Sequence, residues 1–300
     1  MCALCDKRYN LQMHTDHKEI AVLYHGGCPD GFGGAYSAWK KFGDTAEYIP
    51  VKYGLPVPEG LDGRKIYFVD FCYPQEIMNQ IIATATSVTV LDHHLGNKEN
   101  VENMPEHIFD DKRSGSTIAW SYFHPDIPVP TMLKYVEDGD LYVFKLPDSR
   151  AILSYMYAQP FNFDTWDSLA TRLEDDTERK ALIERGNIYA EHFAILVEQI
   201  ANKAVLVSFE GYECYLASSA HMFTSDVGNR LARIKPPLGI IASLHGDVLN
   251  VSLRSDESID VSAIARKYGG NGHPHASAFR IAWGDPLPWT VLKEHEDSSN

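Results

Sequence analysis

The chain has 300 residues, of which 44% are hydrophobic and 23% charged, and it carries a formal net charge of −14 at pH 7. This composition is ordinary for a globular protein with a buried core, and the acidic balance argues against a sequence-independent grip on long duplex DNA, which depends on basic surface. No window offers the roughly 18 consecutive apolar residues of a membrane span, so we expect no membrane partner. The N-terminus lacks the apolar stretch of a signal peptide, which favours a cytoplasmic location.

Strand-like and helix-like segments alternate along the first half of the chain. Apolar, β-rich runs predict strands at 19–24, 46–54, 64–71 and 87–94, and amphipathic patterns predict helices at 35–42, 76–85, 115–124 and 131–137. This alternation is typical of an α/β fold with a doubly wound, mainly parallel sheet. In such sheets ligands bind beyond the carboxyl ends of the strands.

The pattern changes after a long, charged amphipathic segment at 176–202, which predicts a helix. Two apolar hairpins at 203–219 and 238–255 follow, and they predict a smaller α+β domain together with a short helix and a last strand. We therefore divide the chain into a flexible N-terminus (1–18), an α/β domain (19–165), a helical connector (166–202), an α+β domain (203–285) and a tail (286–300).

The N-terminus carries a Cys-x-x-Cys pair, Cys2 and Cys5. A structural zinc site needs four ligands, and His14 and His17 are the nearby residues that could complete one. The short spacing and the terminal position instead favour a frayed segment with reduced thiols. The odd total of five cysteines does not indicate a disulfide framework.

Polar clusters follow three of the predicted strands: His25 to Asp30, Asp70, and the triplet Asp92-His93-His94. A single Asp at such a position is more often a helix cap, but capping does not favour Asp and His at three strand ends. Carboxylates bind Mg²⁺ and Mn²⁺, and Mn²⁺ also accepts imidazole. Neighbouring strands lie about 4.8 Å apart, close to the ~3.5–4 Å that separates the ions of a two-metal site. Because successive side chains of an extended chain alternate, we expect one of the adjacent histidines to face the metals and the other to face the substrate or to support the metal ligands from behind.

These residues resemble the signature of the DHH phosphoesterase superfamily, which includes RecJ-like exonucleases and nanoRNases. The Asp-His-His triplet lies in LDHH at 91–94, and HGGCPDG at 25–31, Asp70 in YFVDF and YVEDGDLY at 135–142 match the other motifs in order. GGNGHPHASAF at 269–279 is similar to the glycine-rich motif of the associated C-terminal domain. The resemblance implies that 19–165 is a DHH catalytic domain and that 203–285 is a DHH-associated, substrate-binding domain.

Two positions depart from the family pattern. Cys28 stands two residues before Asp30, where many members have aspartate, and Asn271 replaces a third consecutive glycine. Thiolate is a soft ligand that suits zinc better than manganese, so Cys28 puts the metal preference in question.

The resemblance implies an enzyme that hydrolyses phosphate esters with two ions, Mn²⁺ or Mg²⁺. The implied metal ligands are His25, Asp30, Asp70, Asp92, His93, Asp138 and Asp140, with the roles of the last two not separated. Asp92, His93 and His94 form the implied catalytic group, and Asp92 is expected to bridge the ions. The implied substrate contacts are Arg113, Ser114, Gly115, Arg254, Gly269, Gly270, Gly272 and His273. A surface ion pair with Asp256 or Glu257 is the alternative for Arg254, and a helix cap is the alternative for Ser114.

Three functions stay open on the sequence alone. The first is hydrolysis of phosphodiesters in short oligonucleotides or dinucleotides, which the acidic net charge favours over action on long duplex DNA. The second is hydrolysis of a phosphomonoester or phosphoanhydride, such as 3′-phosphoadenosine phosphate or polyphosphate. The third is a nucleotide-binding protein with impaired catalysis, which the cysteine at position 28 motivates. The resemblance also allows a homodimer, since dimers occur in the family.

Overall fold

The computed structural model describes residues 18–293. Within that range the chain forms a five-stranded sheet and a seven-stranded sheet. The predicted flexible N-terminus, with Cys2, Cys5, His14 and His17, lies outside the described residues apart from position 18. No helix between residues 18 and 293 has the length and apolar character that a membrane crossing requires.

The first sheet is the predicted parallel α/β layer. Its strands are β1 (Ile20–His25), β2 (Ala46–Val51), β3 (Lys65–Val69), β4 (Ser87–Asp92) and β5 (Glu106–Phe109). They are all parallel and lie in the order β2-β1-β3-β4-β5, so the strand order reverses between β1 and β3. The doubly wound α/β prediction is therefore confirmed. The sequence pattern does not predict β5, because this edge strand is mostly exposed and carries no apolar run.

Helices cover both faces of this sheet, which explains why its strands are nearly continuous apolar runs. The helices are α1 (Pro29–Phe42), α2 (Gln75–Thr84), α3 (Lys98–Glu102) and α4 (Gly115–Phe123). Alternate residues of each strand point to opposite faces. Leu23 and Phe68 belong to a core that includes α2 and α3 residues, whereas Val22, Val69 and Leu91 pack with residues of α1 and α4.

A helical region follows the sheet. Its helices are α5 (Thr131–Asp140), α6 (Ser149–Tyr157), α7 (Phe163–Glu174) and α8 (Asp176–Ala201). The helix predicted at 176–202 is observed as α8. It crosses α6 closely at Gly186, where a Cβ atom would overlap the backbone of Ala151. Trp166 of α7 is fully buried in the same core. The short helix α6 is not predicted from the sequence, and α7 falls mostly within the segment predicted as a helical connector (166–202).

The second sheet belongs to the α+β part. It contains β6 (Val205–Phe209), β7 (Tyr212–Ser218), β8 (Leu238–His245), β9 (Val248–Ser255), β10 (Asn271–His273), β11 (Ala276–Ala282) and β12 (Trp289–Lys293), with α9 (Thr224–Ile234) and α10 (Val261–Lys267). The strand order is β10-β11-β9-β8-β7-β6-β12. Both predicted hairpins form. The predicted tail from 286 is wrong for Trp289–Lys293, because this segment pairs with β6 as an edge strand.

The α+β part contacts loops at the carboxyl edge of the first sheet. Arg280 Nη2 donates a hydrogen bond of 3.2 Å to the backbone oxygen of Tyr53, in the loop after β2. The Asn271 side chain occupies the space where Gly96, in the turn after β4, would carry a Cβ atom. These contacts bring the glycine-rich segment over the strand ends where the sequence predicts a site. The domain boundaries themselves stay a prediction.

Candidate active site

The carboxyl ends of three strands meet at the point where the strand order reverses. His25 ends β1, Asp70 follows β3, and Asp92 ends β4. Ligand sites of doubly wound sheets lie at such reversal points. Asp70 has a φ of 58°, a left-handed conformation that is uncommon outside glycine and that clusters at functional sites. The backbone therefore turns sharply at Asp70, the residue that follows β3.

The side chains at this edge form three groups, each with one ligand atom per residue within 4.8 Å of the others. The groups are Asp70-Asp92-His93-His94, His25-Cys28-Asp70 and Asp30-His93-Asp140. Two ligand atoms that each lie about 2.0–2.3 Å from one ion can be at most about 4.6 Å apart. The spacing within each group is therefore close to what one ion would need. Asp70 and His93 each belong to two groups, so the groups are adjacent parts of one cluster.

Asp70 lies at the centre of the cluster. Its side chain is 1% exposed, and it lies 3.4 Å from His25 Nδ1 and 3.2 Å from His93 Nε2. Among residues 18–293, neither carboxylate oxygen of Asp70 has a hydrogen-bond partner, and His25 Nδ1 and His93 Nε2 also lack one. Buried polar atoms without partners are rare in proteins. Their convergence in one place is the arrangement that a bound cation requires.

Asp92 differs from Asp70, because both of its carboxylate oxygens accept hydrogen bonds from the protein. Its Oδ1 accepts hydrogen bonds from the backbone amides of His93 and His94, and its Oδ2 accepts one from Asn97 Nδ2 at 2.9 Å. The expectation that Asp92 bridges two ions is therefore not supported by its contacts. The central position belongs to Asp70, and Asp92 also orients His94, whose Nδ1 is 2.7 Å away.

Both histidines of the triplet face the cluster. His93 Nε2 lies 3.8 Å from Asp30 Oδ2 and 3.5 Å from Asp140 Oδ2, while His94 Nδ1 lies 3.5 Å from Asp70 Oδ1. Strand alternation does not separate the two rings, because the extended strand ends at Asp92 and the chain turns there. Which of them faces substrate stays a prediction.

The turn at 113–117 binds the side-chain carboxylate of Asp30. The two oxygens of Asp30 accept hydrogen bonds from the backbone amides of Gly115 (2.6 Å) and Ser116 (3.0 Å) at the start of α4. Ser114 is fully buried and its Oγ lies 2.9 Å from Ser116 Oγ. The N-terminus of a helix favours an anion, and here Asp30 is that anion. The start of α4 thus positions a candidate metal ligand through the amides of Gly115 and Ser116. A substrate contact by Ser114 or Gly115 stays a prediction.

Arg113 also departs from its predicted role. Its Nη2 donates to Ser121 Oγ at 2.8 Å and to the backbone oxygen of Thr117, so the guanidinium lies along α4. The side chain is committed to the helix and does not reach the ligand groups.

Of the two acidic residues near the end of α5, Asp140 joins the cluster and Asp138 does not. The Asp138 carboxylate accepts hydrogen bonds from the backbone amides of Lys145 (2.8 Å) and Leu146 (3.1 Å). Asp138 therefore orders the loop after α5. The sequence leaves the roles of these two residues unseparated, and in the structure Asp140 is the one that lies in a ligand group.

The field in the cluster is strongly negative, and this shows in the pKa values. Burial and the charge of Asp70 raise the pKa of Asp30. Burial and the neighbouring Asp30 raise the pKa of Asp140 to about 8. Burial of His93 opposes its protonation, yet contact with Asp70 and the charge of Asp140 raise its pKa to about 11. In the metal-free protein the protonated imidazole of His93 offsets part of this negative charge, and a divalent ion would supply the positive charge in its place.

Cys28 lies in the same negative field. Burial and the charges of Asp70, Asp140 and Asp30 raise the pKa of its thiol well above the usual range. The donor set as a whole, made of carboxylates, imidazoles and one thiol with unpartnered buried atoms, fits divalent metal ions. The structure thus supports the type of cofactor that the sequence predicts, while the number of ions stays a prediction.

Two residues of the α+β part approach this cluster from the opposite side. The ring centroid of His273 lies 5.6 Å from that of His94 and 6.2 Å from that of His93. Burial and the charge of these histidines lower the pKa of His273 to about 4, so it is neutral at pH 7. Arg254 donates from Nη2 to Ser225 Oγ at 3.0 Å, and burial lowers its pKa to about 10. In the described residues it makes no ion pair with Asp256 or Glu257.

The glycines of the motif at 269–279 occupy positions with different structural requirements. A Cβ atom on Gly270 would overlap the backbone of Ala278 and the side chain of Phe279, so packing against β11 requires glycine there. Gly269 has a φ of 72° and open space around it, and Gly272 has a φ of 147°. Close approach of substrate to this backbone stays a prediction, and for Gly270 packing alone explains the residue.

Two residues of the site are not predicted from the sequence. Asn97 Nδ2 donates to Asp92 Oδ2 and to the hydroxyl of Tyr53 at 2.6 Å. The Tyr53 ring contacts His25 at a centroid distance of 5.8 Å. The only sequence signal for Asn97 is its position five residues after Asp92, and Tyr53 has none, because a loop places it there.

Comparisons with known proteins agree with this fold and site. No protein-family model matches the chain. It is 32% identical over 305 residues to the uncharacterized protein R106 of Acanthamoeba polyphaga mimivirus, covering 93% of this chain and 71% of that protein. It is 25% identical over 228 residues to oligoribonuclease NrnB of Bacillus subtilis, covering 69% of this chain and 56% of that protein.

Solved structures show the same fold at low sequence identity. The DHH domain of a protein described as a member of a ribosomal protein family superposes with a TM-score of 0.60 at 11% identity, over 89% of this chain and 83% of that chain. RecJ from Thermus thermophilus in complex with Mn²⁺ superposes with a TM-score of 0.50 at 14% identity, over 89% of this chain and 50% of that chain.

The chain has the fold of DHH-domain proteins, and its strand-end motifs follow one another in the order that the resemblance to DHH phosphoesterases implies. It is similar to the mimiviral protein along most of its length.

Proposed function

We propose that this chain is a two-metal phosphodiesterase that hydrolyses dinucleotides or short oligonucleotides. The observation that carries the proposal is Asp70, whose two buried oxygens have no hydrogen-bond partner in residues 18–293 and which is shared by two ligand groups. A carboxylate in that position can hold two ions side by side.

Divalent ions at this site would supply the positive charge and the activation of water that phosphodiester hydrolysis needs. The protein's own groups would hold the substrate around them. His94 is fixed by Asp92 at 2.7 Å and presents the rest of its ring to the cleft. His273 can donate a hydrogen bond to a phosphate oxygen as a neutral imidazole, and Arg254 supplies a guanidinium on the same side.

The arrangement favours a short substrate. The α+β part covers the strand ends, with the His273 ring 5.6 Å from that of His94, so the space beside the cluster is bounded from above. The net charge of −14 gives no extended basic track for a long nucleic acid. The similarity to an oligoribonuclease from Bacillus subtilis supports the same class of substrate.

Mn²⁺ and Mg²⁺ are the ions that we propose for the carboxylate-rich side of the cluster. The Asp30-His93-Asp140 group offers the oxygen and imidazole ligands that Mn²⁺ accepts. The structure of RecJ from Thermus thermophilus was solved with Mn²⁺, which supports this choice. A cytoplasmic location and a homodimer stay predictions.

The test is a hydrolysis panel with Mn²⁺ and with EDTA. The substrates are a linear di-adenylate, a five-nucleotide RNA, single-stranded DNA, a cyclic dinucleotide and 3′-phosphoadenosine phosphate, and the products are separated by chromatography. We expect Mn²⁺-dependent release of mononucleotides from the di-adenylate and the short RNA. The Asp70→Asn variant should lose this activity, and Asp167→Asn, which changes a carboxylate bound to Lys40 outside the cluster, should keep it.

Other outcomes replace the proposal. Release of phosphate from 3′-phosphoadenosine phosphate alone would make the chain a phosphomonoesterase. An inactive protein that binds Mn²⁺ and a dinucleotide would make it a nucleotide-binding protein with impaired catalysis.

A further inference from the structure

One ligand group of the cluster contains a thiol. His25 at the end of β1, Cys28 in the following turn and Asp70 after β3 bring a nitrogen, a sulfur and an oxygen within 4.8 Å of one another. The fold places them there, because the short turn from β1 into α1 returns Cys28 to the strand end that His25 occupies. Gly31 permits this turn, since a Cβ atom at that position would overlap the backbone oxygen of His25.

The thiol has no structural role that explains it. Cys28 is the residue before α1, yet its side chain makes no capping hydrogen bond. It is a free thiol, as are Cys72 and Cys214, the other cysteines in residues 18–293. Its neighbours in the cluster are charged or polar, which is an unfavourable setting for a residue that otherwise behaves as a small hydrophobe.

A second observation points to a ligand at the same place. Both oxygens of Asp70 and Nδ1 of His25 are buried without a hydrogen-bond partner in the described chain. With Sγ of Cys28, these atoms make a mixed nitrogen, oxygen and sulfur donor set. Thiolate favours zinc, cobalt and other borderline ions, whereas Mg²⁺ takes oxygen ligands.

We propose that His25, Cys28 and Asp70 bind a borderline transition-metal ion, Zn²⁺ or a similar ion, through the Cys28 sulfur and in preference to Mg²⁺. The Asp30-His93-Asp140 group takes the harder ion, and the centre then holds two different metals. The Sγ–H bond breaks as the metal–sulfur bond forms, and the proton goes to solvent. This inference rests on the proposed function for the position of the ions, and it adds the identity of one of them.

Cobalt provides a direct readout, because a Co²⁺–thiolate bond gives a near-ultraviolet charge-transfer band that does not depend on activity. The full-length protein is used in a Cys2→Ser/Cys5→Ser background, since the N-terminal pair is a second source of thiolate. Co²⁺ is titrated into this protein and into the same protein carrying Cys28→Ser, Cys28→Asp or, as the matched control, Cys214→Ala. Cys214 is buried in the core of the α+β part, away from the cluster. Metal content is measured in parallel, and Zn²⁺ and Mn²⁺ affinities are obtained by competition with a chromophoric chelator.

We expect the band in the parent and in Cys214→Ala, and no band in Cys28→Ser or Cys28→Asp. Cys28→Ser should weaken Zn²⁺ binding by at least about tenfold, the lower end of the loss caused by removing even an indirect metal contact. Cys28→Asp should shift the preference from Zn²⁺ toward Mn²⁺.

Two results would overturn the inference: bound Co²⁺ without the band in the parent, or a band that persists in Cys28→Ser. Neither result touches the proposed function, which is tested separately by the hydrolysis panel and by Asp70→Asn.

Discussion

The carboxylate of Asp30 accepts a hydrogen bond of 2.6 Å from the backbone amide of Gly115. This contact joins the first turn of α1 to the first residue of α4, which lies 85 positions further along the chain. A helix N-terminus carries partial positive charge, so it holds a buried carboxylate in one orientation beside the ligand groups. The geometry of the candidate metal centre thus depends on a helix that contributes no ligand.

Gly115→Ala should disturb the centre although it changes none of the candidate ligand residues. A Cβ atom at this position would lie 2.6 Å from Asp70 Cβ and 2.9 Å from Asp30 Oδ2, closer than van der Waals contact allows. We expect Mn²⁺ affinity, measured by calorimetry, to fall by about tenfold or more, as when a residue that orients a metal ligand is changed.

Ser114→Ala is the matched control for this turn, since it removes a hydroxyl but keeps both amide donors to Asp30. It should lower Mn²⁺ affinity less than Gly115→Ala does. If the two substitutions lower Mn²⁺ affinity equally, overlap of a Cβ atom with Asp70 and Asp30 is not the cause of the loss.

Asp140→Asn and Asp138→Asn should have opposite consequences. Asp140 faces His93 and Asp30 in a ligand group, so its substitution should lower metal affinity and turnover while leaving thermal stability little changed. Asp138 is buried and caps the backbone amides of Lys145 and Leu146. Its substitution should lower stability by about 1–3 kcal/mol, the usual cost of a lost hydrogen bond to a charged group. Urea unfolding and a Mn²⁺ titration of both variants separate the two roles, and the reverse pattern would exchange the assignments.

His273 should make the stability of the metal-free protein depend on pH. Its folded pKa is lowered from 6.5 to about 4 by burial and by the charge of His94 and His93. The unfolded chain therefore takes up this proton first, so the contribution of neutral His273 is complete above pH 6.5 and is lost as pH falls toward 4. The measurement is the free energy of unfolding in EDTA at pH 7 and pH 5 for the parent and for His273→Gln.

Because glutamine does not titrate, the stability of the parent relative to His273→Gln should be higher at pH 7 than at pH 5. A difference that is the same at both pH values would mean that His273 is not held neutral by its neighbours.

Arg280→Ala should loosen the contact between the two parts of the molecule. The guanidinium covers Gly54 and donates to the Tyr53 backbone oxygen, and the hydroxyl of Tyr53 in turn accepts from Asn97. We expect faster amide hydrogen exchange at 52–55 and a KM for di-adenylate that is several-fold higher, with Mn²⁺ affinity unchanged. Arg266→Ala is the control, since Arg266 contacts Ser262 on its own helix. If neither hydrogen exchange nor KM changes in Arg280→Ala, the contact between Arg280 and Tyr53 does not affect substrate binding.

Much of the α/β layer was accessible from the sequence. The strands β1, β3 and β4 are nearly continuous apolar runs, because helices cover both sides, and such a run is a strong local signal. The polar residues that end three of these runs stand out for the same reason, so His25, Asp70 and Asp92 were identifiable before their positions were known. The edge strands β5 and β12 were not, since exposed strands carry no such signal.

The sequence could not show which residues of the site contact one another. Asp138 and Asp140 have the same chemistry and lie two positions apart, and only the end of α5 decides that one faces His93 while the other caps a loop. The turn at 113–117 has the composition of an anion site, but which anion it holds depends on how α1 and α4 pack together. Tyr53 is a loop residue whose role exists only through its contact with Asn97.

The sequence by itself determined the fold class, the strand-end positions of the polar residues and the family, because hydrophobic period and motif order are local properties of the chain. The tertiary structure decided which of those residues lie close enough together to hold a cation. That outcome depends on strand order, on the helix end that holds Asp30, and on an α+β part that brings His273 to the cluster from 181 residues beyond Asp92. Distances between side chains so far apart along the chain are set by packing, which no local pattern records.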